Sequence, residues 1–283
     1  MRPNRLWVLG APDPEMEAIE QLLCECDETV AHAMVGMRAV NASNAYYADC
    51  PYGVQGGMGE SLTHVYRVEC RWDHSYESLQ CGVSVIDHHH PGDPGYGRPP
   101  EEFLAASSIG QVIQELRRLG VIRPDWVVPK RLVLIAAADQ CLGAAYRGEC
   151  PGVDPDELGQ FRAEERARHQ RRTEPGVTPA LILERIAATQ RALQDAECLV
   201  LDGDISVRDM RRDTPWPELP EAATRMGVGY VSGPLVDPDG RRKITCSGSA
   251  EQVRAWLTCW APRNGVSDTY GDPSRGFAGG YLP

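Results

Sequence analysis

No C-x-x-C pair occurs among the ten cysteines of this 283-residue chain, so the commonest zinc knuckles are excluded. The cysteines are scattered. Cys70, Cys198 and Cys246 sit inside apolar runs, where a reduced cysteine behaves as a small hydrophobe. Basic charge is also short: 29 Lys and Arg against 40 Asp and Glu leave a net charge of −11. A protein that coats duplex nucleic acid usually carries a basic face, so that class is disfavoured. A small phosphorylated substrate is still allowed, because a metal ion can supply the positive charge locally. No apolar run approaches the length of a membrane span, and the N-terminal stretch MRPNRLWVLGAPDP is too short in its apolar part for a signal peptide. These absences together predict a reduced, cytoplasmic protein without structural disulfides and without membrane contact. Internal repeats and low-complexity tracts are absent as well.

What is present is enough to build a core. Hydrophobic residues make up 42% of the chain, and its length allows two domains. Leu6–Leu9 is a short apolar run ending at Gly10, so a strand. From Glu15 to Cys24, Met16, Ile19, Leu22 and Leu23 recur at helical spacing. Residues 41–62, rich in Asn, Gly and Tyr, read as an irregular excursion. Strand candidates follow at 63–71 and at 82–87, and the continuous apolar character of GVSVID suits a strand buried on both faces. The loop 88–102 is too rich in proline for a helix. Ser107 or Ser108 then caps a helix that Gly120 stops. Arg131–Arg147 is mostly apolar, with one carboxylate, Asp139. The alternation predicts an α/β fold: a doubly wound, mostly parallel sheet over residues 1–153. Residues 155–173 read as a charged, solvated helix, so a helical linker is placed at 154–175. A smaller α/β domain is expected over 176–283, with a helix at 179–196, three short strands, a helix near Ser249 and a glycine-rich tail.

The chemistry-bearing side chains fall at the ends of the predicted strands. Asp13, Glu15 and Glu17 follow the first, Glu69 ends the next, and Asp87-His88-His89-His90 ends the third. In a parallel sheet these ends share one edge, where such folds bind ligands. Carboxylates gathered there repel one another unless a cation sits between them. A ligand set dominated by carboxylates with an imidazole suits Mn²⁺ or Mg²⁺ better than zinc. Taken alone, the acidic turn is equally the charged first turn of a helix. Three consecutive histidines cannot all face a core, so at least one points out of the strand end.

The order of these groups resembles the DHH phosphoesterase superfamily, which includes RecJ-type exonucleases, oligoribonucleases, cyclic-dinucleotide phosphodiesterases and family II inorganic pyrophosphatases. Its first motif, H-x-[ND]-P-D-x-D-A-I, is similar to Ala11-Pro12-Asp13-Pro14-Glu15-Met16-Glu17-Ala18-Ile19. The two motif aspartates fall on Glu15 and Glu17, and the leading histidine falls on Ala11. Glu69 stands for the second motif, Asp87-His88-His89 for the third and Asp139 for the fourth. The tail GDPSRGFAGGY resembles the glycine-rich end of the DHH-associated substrate-binding domain, with Ser274 where a histidine would stand.

The resemblance implies a metal centre built from Glu15, Glu17, Glu69, His88 and Asp139. One Mn²⁺ or Mg²⁺ site would be well formed, and the second would be weakened or lost through Ala11 and the Asp-to-Glu changes. It further implies that His89 contacts the phosphoryl group and that Asp87 orients the neighbouring imidazoles. Ser274, Arg275, Gly276, Gly279 and Gly280 would hold the substrate's far end, with Arg241 and Arg242 as a second candidate. His90 is either a further donor or an exposed loop histidine before Pro91. The activity implied is metal-dependent hydrolysis of a phosphoester in a nucleotide, dinucleotide or short oligonucleotide. The alternative is a nucleotide-binding relative with an incomplete metal centre. The expected partner is a small phosphorylated nucleotide, and a homodimer is left open.

Overall fold

The structure is a computed structural model that describes residues 5–49, 62–72 and 81–283. The chain divides into two units, Met1–Phe161 and Arg162–Pro283. The expected irregular excursion of residues 41–62 falls partly on 50–61, outside the described residues.

The first unit is α/β. Strands β1 (Arg5–Leu9), β2 (Thr29–His32), β5 (His64–Val68) and β6 (Gly82–Ile86) form a parallel sheet in the order β2-β1-β5-β6. The short hairpin β3 (Met34–Val35) and β4 (Arg38–Ala39) stands apart from it. β1 is central, and all five of its residues are buried. Its side chains alternate between two cores, as the period of a strand requires. Trp7 and Leu9 join helix residues such as Ile19, Ile109 and Ile135. Leu6 and Val8 join Ala33, Val40, Ala45 and Trp72 on the other face. Each aliphatic side chain fully buried in this way contributes about 1.5–3 kcal/mol.

The first core is roofed by α1 (Pro14–Glu25), α2 (Phe103–Ala106), α3 (Ser108–Arg118) and α4 (Lys130–Gln140). Asp13 caps α1 by accepting from the Met16 amide, and Ser107 caps α3 by accepting from Gly110. Gly120, at φ +68°, ends α3 as the sequence predicts. The segment Arg131–Arg147 is helical: α4 is followed by α5 (Leu142–Tyr146). Its apolar content serves the core without entering the sheet.

Several sequence expectations are corrected. GVSVID was expected to be buried on both faces. Among the described residues β6 is an edge strand, with Gly82 and Val83 exposed. Cys198, expected to be buried as a small hydrophobe, is exposed at the start of the strand Cys198–Asp202, whereas Cys70 and Cys246 are buried.

The second unit holds a six-stranded mixed sheet in the order β11-β12-β10-β9-β8-β7. Its strands are β7 (Cys198–Asp202), β8 (Ile205–Arg211), β9 (Tyr230–Val236), β10 (Arg242–Ser247), β11 (Ser267–Asp272) and β12 (Phe277–Leu282). Only the β8–β9 pairing is parallel. The glycine-rich tail forms a β-hairpin, in which β11 pairs antiparallel with β12.

The helix expected at 155–173 forms as α6 (Pro155–Gln170), and the division between units falls inside it. It is not simply solvated. Leu158, Ala163 and Ala167 are fully buried, and, within the second unit, Arg162 and Arg166 pair with Glu221 and Glu218. Helix α7 (Pro179–Asp195) starts at a Thr178 cap, and α9 (Ala250–Ala255), after α8 (Leu219–Met226), starts with a capping box between Ser249 and Gln252.

Register decides what meets at the carboxyl edge of the parallel sheet. Leu9, Val68 and Ile86 are aligned across β1, β5 and β6. The residues one step further, Gly10, Glu69 and Asp87, therefore line one edge. Gly10 is needed there, because a Cβ on it would lie 2.2 Å from the Glu69 carbonyl oxygen. Gly10→Ala is expected to destabilise the protein by about 1–3 kcal/mol. Urea unfolding reads this as a lower midpoint with an unchanged slope.

Candidate metal centre

Four side chains from four elements converge at this edge. Glu15 comes from the first turn of α1, Glu69 from the residue after β5, His88 from the loop after β6, and Asp139 from the last turn of α4. Their ligand atoms all lie within 4.8 Å of one another. His88 Nε2 is 2.8 Å from Asp139 Oδ2, 3.2 Å from Glu69 Oε1 and 3.9 Å from Glu15 Oε2. The side chains of Glu15, Glu69 and His88 are 1%, 7% and 7% exposed, and that of Asp139 is 29% exposed.

The local backbone explains the convergence. Glu15 is held by its other oxygen, which accepts from the Ile109 amide at 3.0 Å, at the start of α3. That amide is one of the unpaired donors at a helix N-terminus. Glu69 has a left-handed backbone, φ +49°. This conformation costs a non-glycine residue about 1–2 kcal/mol and is common where a side chain serves a site. The loop behind His88 closes tightly, and a Cβ on Gly95 would lie 2.8 Å from His88 Cβ.

These approaches are close charge contacts. Among the described residues, Glu15 Oε2, Glu69 Oε1 and His88 Nε2 are buried and have no hydrogen-bond partner. Buried polar atoms are ordinarily paired. Three orphaned atoms facing one point, with a fourth oxygen beside them, fit a bound divalent cation. The donor set of three carboxylates and one imidazole matches the oxygen preference of Mn²⁺ or Mg²⁺.

The protonation states carry the same strain. Burial, then the charges of Asp139 and Glu69, push Glu15 well above the usual carboxylate range. Burial opposes the charged form of His88, but the neighbouring Asp139 and Glu69 outweigh it and lift the imidazole to about 10. Burial would raise Asp139, but His88 overrides it and holds this carboxyl below its usual value. Asp13, next to the cluster, is pushed up to about 7 by burial and by Glu69.

Around this group lies a ring of supporting contacts. Asp87 is fully buried. Its Oδ1 accepts from the His88 amide at 2.7 Å, the His89 amide at 3.1 Å, His89 Nδ1 at 3.0 Å and the Tyr46 hydroxyl at 3.2 Å. Burial would raise Asp87, but the His89 contacts hold it below its usual value. His89 is raised in turn: burial lowers it, and Asp87 more than compensates. Glu69, His88 and His89 form a second, overlapping set of candidate ligands. His90 lies beside Tyr46, ring centroids 4.3 Å apart, and its amide donates to Asp93 at 2.7 Å. Asp87, His90 and Asp93 form a third set, but Arg71 already pairs with Asp93 at 2.6 Å.

Not every residue singled out from the sequence joins. Glu17 is exposed on α1, outside these sets. Two positions separate it from Glu15, and on a helix that spacing turns the side chain off the shared face. Ala11 is half-buried and packs with the second core. Ser274, Arg275, Gly276, Gly279 and Gly280 all lie in the second unit. There the Ser274 hydroxyl donates to Asp272 at 2.6 Å, and the Arg275 guanidinium lies 5.9 Å from the Phe277 ring centre. Gly276 takes φ +71°, and Gly279 and Gly280 sit beneath Tyr270 and Val266 in β12, where a Cβ would clash. Arg241 pairs with Asp268 and covers the Tyr281 ring.

Sequence reasoning missed Tyr46 and Gln111. The Gln111 amide group donates to the Asp87 carbonyl at 3.0 Å and accepts from the Asp87 amide at 3.3 Å. Gln111 was findable as a polar residue among the apolar positions of α3. Tyr46, in the irregular stretch, left no signal. Searches of protein-family profiles and of curated protein sequences find no match for the chain.

Two outcomes follow. A group whose pKa is raised on folding stabilises the fold below its unfolded value and loses that contribution as the pH rises through its folded value. Metal-free protein is therefore expected to lose stability between pH 6.5 and about 10 through His88, a slope that chemical denaturation should find diminished in His88→Asn. Metal ligation needs the neutral imidazole and ionised carboxylates. Mn²⁺ binding at pH 7 should thus release about one proton or more, read by calorimetry in two buffers of different protonation enthalpy.

Proposed function

We propose that this protein is a metal-dependent phosphoesterase of the DHH type, acting on a nucleotide, dinucleotide or short oligonucleotide. The observation that carries the reading is the convergence of Glu15, Glu69, His88 and Asp139, with orphaned buried atoms, at the carboxyl edge of a parallel sheet. The doubly wound arrangement of that superfamily belongs to the same proposal.

Glu15, Glu69, His88 and Asp139 would hold the ion, Mn²⁺ or Mg²⁺. When bound, it supplies Lewis-acid charge at the phosphoryl group and lowers the pKa of water. The chain's own residues do the rest. Asp87 takes the Nδ1 proton of His89 in a hydrogen bond, so Nε2 is the nitrogen left for substrate. His89 has a raised pKa and a side chain 30% exposed. It is suited to donate to a phosphoryl oxygen or to the leaving group. Tyr46 and Gln111 keep Asp87 in place, and burial beside Asp87 holds the Tyr46 hydroxyl protonated. The net charge of −11 disfavours a long single strand, which would need a basic track.

Ala11 and Glu17 favour one ion over two: the first cannot ligate, and the second stands outside the cluster. They also support the second reading, a nucleotide-binding protein that turns nothing over. The two readings separate on bis-p-nitrophenyl phosphate and on a pApA dinucleotide with Mn²⁺. His89→Ala is expected to lower kcat by about 10²–10⁴ while Mn²⁺ affinity is kept. Asp87→Asn should lower activity or metal affinity by about 10–100-fold. Background rates in wild type, His88→Ala and Asp139→Asn alike would sink the enzyme reading and favour the binding protein.

A further inference from the structure

Two residues past Asp139, the chain carries a pair of thiols that the metal centre does not use. Cys141 Sγ lies 3.0 Å from Cys150 Sγ. We propose that Cys141 and Cys150 form a reversible disulfide that clips the end of α4.

The approach is built by the local fold. Cys141 is the residue at which α4 ends. Helix α5 runs for one turn, and the chain then doubles back. The Glu149 amide donates to the Ala144 carbonyl at 3.0 Å, and the Gly148 amide to the Ala145 carbonyl at 3.1 Å. Gly148 takes φ +76°, the left-handed conformation that closes a helix in this way. Arg147 pairs with Glu149 at 2.7 Å across the turn. The result returns Cys150, which is 2% exposed and part of the first core, to the end of α4. A disulfide bond is about 2.05 Å long, so the two sulfurs need to approach by only about 1 Å. Such a shift is within the reach of side-chain torsions, without rebuilding the turn.

The chemistry needs an oxidant, and a peroxide supplies it. Two S–H bonds break and one S–S bond forms. The two thiols give up two protons and two electrons, and hydrogen peroxide becomes two waters. Burial raises the Cys150 thiol above its usual range, so the reaction is slow at neutral pH. Glutathione-type thiols reverse it. The crosslink closes a loop of nine sequence steps, which restricts the unfolded chain and the end of α4 alike. The proposal rests on sulfur geometry and stands whether or not the phosphoesterase reading holds.

The test uses the full chain, reduced and metal-free, then exposed to hydrogen peroxide for hours. Peptide mapping without reductant should find Cys141 and Cys150 joined, with the loss of two hydrogens in mass. The oxidised protein should melt several degrees higher than the reduced protein. Backbone amides of 139–146 should exchange several-fold more slowly. Thiol reductant should restore all three readings. Recovery of both cysteines as free thiols or as separate sulfinic acids would overturn the disulfide. A joined pair with unchanged exchange at 139–146 would overturn the clip. Comparison of the two redox states of one chain needs no variant, and Cys150→Ala serves as the uncrosslinked control.

Discussion

Repulsion among buried carboxylates is the constraint on which this molecule turns. Glu15 and Glu69 are nearly out of water, Asp139 is close by, and a single imidazole faces all three. Isolated charges at such depth are costly, and a cluster of like charges more so. Without a cation the group holds protons instead: Glu15 is driven up and His88 becomes a strongly held imidazolium. A divalent ion would replace those protons with charge. The arrangement is therefore expensive as pure structure and economical as a ligand set.

The fold serves that arrangement through alignment. Three parallel strands in register bring Gly10, Glu69 and Asp87 to one edge. The glycine lets β1 end against the Glu69 backbone. Helix α3 contributes twice, the Ile109 amide of its first turn to Glu15 and the Gln111 side chain to the backbone of Asp87. Helix α4 delivers Asp139 from its last turn and ends at Cys141, whose thiol faces Cys150. The stability of that helix end therefore bears on both features. The second unit has its own sheet and its own cores.

Much of the first unit was legible in the chain. LWVL before Gly10, the helical spacing after Glu15 and the serine before IGQVIQEL are local signals, and each produced its element. The errors have a common cause. GVSVID looks buried on both faces because it is apolar, but strand order left it at an edge. The charged composition of 155–173 reads as solvated, yet its arginines find buried glutamates far along the chain. Cys198 lies in an apolar run that became an edge strand. Composition describes what a segment can bury, whereas position in the sheet decides what it does bury.

The sequence alone determined the residue types of the centre, because repulsion among carboxylates is a property of composition and order: Glu15, Glu69, Asp87, His88, His89 and Asp139 could all be named from it, and Glu17 was named with them. Tertiary structure decided which of these share one point. It left Glu17 outside because a helix turns about 100° per residue. It brought in Tyr46 and Gln111, far apart in the chain, because only packing sets long-range distance. It made Asp87 the holder of His89 and not a free carboxylate, since the hydrogen bonds that assign a role depend on geometry that no spacing along the chain encodes.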